Sequence, residues 1–71
     1  MNHLKEYWGE LEALSHDTSN WPAGDNRSKA SELIRKARSE LIRAEAASDG
    51  GRSVEKYVDE VNRLVQLIME L

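Results

Sequence analysis

Residues 30–44 read ASELIRKARSELIRA. Within and around this stretch Ala30, Leu33, Ile34, Ala37, Leu41 and Ala44 fall inside an arc of about 100° when wound at a helical repeat, with charged residues filling the remainder. Ala30, Ala37 and Ala44 are seven apart and so share one edge of the helix. Small residues at a seam let two helix backbones approach closely, and Ile34 and Leu41 alternate with them as the bulky layers. The pattern predicts a long helix whose apolar stripe is built to receive another helix.

Its limits follow from the flanking residues. Asp25 or Asn26 can cap the start by accepting a backbone N–H, and Asp49-Gly50-Gly51 offers a glycine for a left-handed stop, which gives a helix over about 26–48 and a turn over 49–52. Ser53 then caps a helix over about 53–71, with Glu55 in its first turn. Val54, Val61 and Ile68 form one heptad column of this helix, Tyr57, Leu64 and Leu71 a second, and Val58 and Val65 a flanking third. A turn this short forces the two helices antiparallel. On the N-terminal side Leu4, Tyr7, Trp8, Leu11 and Leu14 share one helical face, predicting a shorter helix over about 2–15 with Asn2 as its cap and His16-Asp17-Thr18-Ser19-Asn20 as a polar stop. The fold class is therefore all-α: an antiparallel hairpin of helices 2 and 3 with a shorter first helix, a three-helix bundle in a single domain.

The loop over 16–25 holds Trp21 before the only proline, Pro22. Nine or ten loop residues are many for two packed helices, and such loops are either functional or anchored by their own side chains. Trp21 is the natural anchor, able to bury on the order of 200 Å2 against the open end of the bundle; its alternative role is direct contact with a partner.

The third helix carries more apolar surface than one hairpin partner can cover. Val58 and Val65 widen its apolar face, Leu67, Ile68, Met69 and Leu71 make its last turn apolar on nearly every side, and apolar surface left in water drives association. A homodimer is the expected outcome, with these residues, Trp21 and the outward Ile42 as the interface; a closed monomer in which helix 1 covers the surplus, and an unidentified protein partner, are the competing arrangements.

Charge is segregated. Residues 1–26 carry one lysine against five acids, residues 27–43 six basic residues against Glu32 and Glu40, and residues 44–71 three basic against six acidic, for a net charge of −3. A basic helix between acidic neighbours reads as complementarity within the fold, supported by i,i+4 pairs such as Glu32–Lys36, Lys36–Glu40, Lys56–Glu60 and Asp59–Arg63. If helix 2 met phosphate, Arg35, Arg38 and Arg43 would be the contacts. The basic residues nevertheless spread over more than half the circumference, no aromatic residue lies among them to stack on bases, and the whole chain is acidic, so nucleic acid is not the expected partner.

Catalysis finds no material. His3 and His16 stand in no motif with a nucleophile or ligand, Asp49-Gly50-Gly51-Arg52 follows a helix rather than a strand and so is no phosphate loop, and the helix 2 serines lack a base. No catalytic residue, cofactor or metal site is expected. There is no cysteine, hence no disulfide, and a cytoplasmic location is expected. The first residues lack the basic and apolar regions of a secretory signal, and no apolar run reaches the roughly 20 residues that span a bilayer. The expected function is non-catalytic protein–protein interaction, in the class of small adaptors, inhibitors, antitoxin-like proteins and regulators, phage-encoded ones included. A nucleic-acid-binding regulator or a structural subunit of a larger complex is the alternative.

Overall fold

The computed structural model describes residues 4–71, and within them three helices run up, down and up: α1 (Leu4–Ser19), α2 (Asp25–Asp49) and α3 (Glu55–Met69). No strand occurs among the described residues. The bundle is elongated, 42 × 17 × 15 Å.

α2 is the shared wall. It packs closely on α3 and on α1, whereas α1 and α3 approach each other much less closely. The side chains explain this asymmetry. Ala30, Ala37 and Ala44 are fully buried on α2 and hold no bulk between its backbone and the two helices it meets. α1 and α3 face each other with leucine, valine and aromatic side chains, which keep their axes apart. The main core joins Leu4 and Leu11 of α1, Ala37, Leu41 and Ala44 of α2, and Val61, Leu64 and Val65 of α3. A second cluster at the other end joins Ala30 and Ile34 to Ile68, with Leu14, Trp21 and Leu33 packed against it.

That second cluster corrects the expectation about α3. Ile68 is only 1% exposed, covered by α2, Leu14 and the Trp21 connection, and Val65, in the main core, is 8% exposed. Neither side chain is available to a partner. Trp21 is half-buried against the same cluster, in the anchoring position.

Helix limits shift for local reasons. The proposed cap Asn2 lies outside the described residues. At its other end α1 runs four residues further than the polar stop suggested. Thr18 continues the Leu4–Leu11 column and is buried, and its hydroxyl donates to the Ser15 carbonyl at 3.3 Å. Ser19 and Asn20 bond back to the His16 carbonyl at 2.7 and 3.3 Å. These side chains give partners to carbonyls near the end of the helix, where the backbone supplies too few. The connection shrinks to residues 20–24. α2 starts one residue early, with Gly24 at the cap and no side-chain cap bond; Asp25 instead sits in the first turn, where its charge suits the positive end of the helix dipole. The stop of α2 is a Schellman arrangement: the N–H of Arg52 reaches the Ala47 carbonyl at 2.8 Å and that of Gly51 the Ser48 carbonyl at 3.0 Å. Gly51, with φ of 73°, takes the left-handed position. Ser53 still accepts the Glu55 N–H, at 3.4 Å, but from outside α3, whose cap is Val54.

Candidate interaction surface

Among the described residues four large apolar side chains remain exposed: Ile42 at 60%, Leu67 at 36%, Met69 at 70% and Leu71 at 38%. They do not form one patch. Leu67 lies in a groove between α2 and α3, on the side away from α1. Leu71 lines a depression with Trp21, Pro22, Asp25 and Asn26 at one end of the bundle, where the Asn26 side-chain amide donates to the Leu71 carbonyl at 3.4 Å. Ile42 stands alone on the outer face of α2, and Met69 is on the flank of α3 opposite to Leu67. Val58, half-buried, packs into the main core.

The α2–α3 groove is the most organised of these surfaces. Leu33, Leu64 and Leu67 line it, together with Lys36 and Ser39, and each wall carries an acid and a base, Glu40 with Arg43 and Glu60 with Arg63. Arg43 Nη1 donates to Glu40 Oε1 at 3.0 Å. Arg63 donates to Glu60 through Nε at 3.0 Å and also through Nη2. This contact holds the Glu60 carboxyl below its ordinary range, chiefly through the hydrogen bond from Arg63, and raises Arg63 by the same bond.

Of the ion pairs expected from spacing, Glu32–Lys36 forms at 3.7 Å. Glu40 and Glu60 instead pair with the arginines three residues on. Lys56 stands 6.0 Å from the Tyr57 ring centroid.

Arg35, Arg38 and Arg43 do not share a surface. At 100° per residue Arg43 lies roughly 80° from Arg35 and roughly 140° from Arg38, and it turns into the groove to meet Glu40. The groove residues Leu33, Glu40, Glu60, Arg63 and Leu64 were not singled out as a site from the sequence. The helical angle could have shown that they flank the α2–α3 seam on one side, but not on which side α1 would lie. No group of three or more His, Cys, Asp or Glu side chains that could hold a metal occurs among the described residues, and no described helix is long and apolar enough to cross a membrane. Comparison with protein-family models, with curated proteins and with solved structures finds no match for this chain.

Proposed function

We propose that this protein is a non-catalytic interaction module of the cytoplasm that pairs with a second copy of itself along the α2–α3 face. The observation that carries the reading is the composition of the groove: half-buried Leu33 and exposed Leu67 above the buried Leu64, between two walls that each bear both charge signs. A two-fold related copy brings an identical face, so walls of mixed charge meet walls of mixed charge and the exposed Leu67 has an apolar counterpart. Dimensions favour the same choice. An end-on contact has only the 17 × 15 Å section, on the order of 250 Å2, against the roughly 800 Å2 per partner of a stable interface. The long side, 42 × 17 Å, offers on the order of 700 Å2, close to that requirement.

Light scattering on a sizing column tests it. The chain should elute near twice its 8.1 kDa mass at micromolar concentration, and Leu67→Asp should return it to the single-chain mass with its helix content unchanged. A wild-type protein that remains a folded monomer overturns the reading, and a Leu67→Asp dimer moves the interface to another face.

A further inference from the structure

The outer face of α2 on the α1 side carries a second surface that the dimer leaves open. Arg27, Arg35, Arg38 and Ile42 are all exposed, and at 100° per residue they fall within a sector of about 80°. Ser31 lies inside the same sector, and Arg27, Ser28, Ser31 and Arg35 line a shallow depression with Glu32 at its edge. None of the three arginines pairs with a carboxylate among the described residues, although the chain has more acids than bases. Glu32 at the edge pairs with Lys36, and Glu45, three residues past Ile42 on the same side, accepts the Trp8 indole N–H, so that between Arg27 and Ile42 the sector itself holds no acid. The sector is therefore a cationic strip ending in an apolar residue.

We infer that this strip, Arg27–Arg35–Arg38–Ile42, binds an acidic helical segment of another protein, its carboxylates on the arginines and one apolar side chain on Ile42. Arginine presents a planar fork that suits carboxylates two at a time. From Arg27 to Ile42 the strip rises about 22 Å, the length of roughly four turns of a partner helix laid alongside. Nucleic acid fits it less well. Duplex affinity is assembled from many phosphate contacts, and here three arginines are followed by an aliphatic side chain that phosphate cannot use. The absence of any aromatic residue from α2 also leaves no ring on the strip to stack on bases. The inference rests on the interaction-module reading but not on the α2–α3 dimer.

The test uses fluorescence anisotropy with three labelled probes: a helical peptide of Glu-Glu-Leu-Glu repeats about 16 residues long, the same peptide with Lys for Glu, and a single-stranded oligonucleotide of similar length. The acidic peptide should bind and the lysine peptide should not. Arg35→Gln/Arg38→Gln should weaken the acidic peptide about tenfold or more, as loss of charge-assisted contacts does, and Ile42→Gln should weaken it several-fold. The dimer-breaking Leu67→Asp should bind like wild type, which separates this inference from the dimer. All of these positions are exposed, and circular dichroism on the same samples checks that helicity is kept. Failure of the acidic peptide to bind, or binding indifferent to the arginines, overturns the inference. Tighter, arginine-dependent binding of the oligonucleotide overturns it in favour of a nucleic-acid surface. A fall to single-chain mass in the arginine variant overturns it in favour of a second copy seated on the strip.

Discussion

The indole N–H of Trp8 donates a hydrogen bond to the Glu45 carboxylate, joining α1 to α2 across 37 residues of chain. The bond sets the start of α1 beside the end of α2 and so fixes their antiparallel register. Its donor and acceptor are both half-buried, where an unpaired polar group costs more than it does in water. Trp8→Phe keeps most of the ring's packing and removes the donor. It should lower the unfolding free energy by about 1–2 kcal/mol in urea, and a variant as stable as wild type would mean that water replaces the indole.

The alanine edge of α2 can be tested with one substitution at two depths. Ala37 is fully buried where α2 meets its neighbours, so Ala37→Leu should overfill the seam and destabilise by about 1–3 kcal/mol. Ala46, on the exposed side of the same helix, should accept Leu within about 0.5 kcal/mol of wild type. Equal melting temperatures for the two variants would place the seam elsewhere.

At the loop end, Trp21 packs on Ala30, Ile34 and Ile68. Trp21→Ala should cost up to about 3 kcal/mol, the lower end of aromatic truncations, because the ring is only half-buried. Unchanged stability with altered mass on a sizing column would make Trp21 a contact between copies.

Ile68 and Met69 are neighbours with opposite environments, 1% and 70% exposed. Ile68→Asp buries a carboxylate inside a single chain and should unfold it, with loss of helical circular dichroism even at low concentration. Met69→Asp should leave helicity intact. If Ile68→Asp remained helical, the second core cluster would not be holding α3 to the loop.

The turn between α2 and α3 distinguishes its two glycines. Gly51 has a φ of 73°, so Gly51→Ala should cost about 1 kcal/mol or more. At Gly50, φ is −86° and an added Cβ would meet only ordinary contacts, the nearest 3.5 Å away. Gly50→Ala should be neutral or stabilising by up to about 1 kcal/mol. Urea midpoints of the two variants decide it, and a Gly51→Ala midpoint at or above wild type would place the left-handed requirement elsewhere.

Sequence by itself determined the helices, their order, the antiparallel hairpin and the core edge of α2, because each follows from a periodicity or a turn carried by adjacent residues. Ala30, Ala37 and Ala44 are buried where their spacing put them, and Gly51 takes the left-handed stop. Tertiary structure decided what covers α3. Ile68 reads as surplus apolar surface when only the hairpin is considered, since Asn26, Arg27 and Ser28 lie at that level of α2. Ala30 and Ile34 of α2 cover one side of it, and Leu14 and Trp21 close the rest, brought there by the packing of α1, which no local pattern encodes. The helical repeat already separates Arg43 from Arg35 and Arg38, and the packing of α3 decided that Arg43 lines a groove while Arg27, Arg35 and Arg38 stay outside it. Charge order along a helix is local, but which charges end up sharing a surface depends on where the neighbouring helices come to rest.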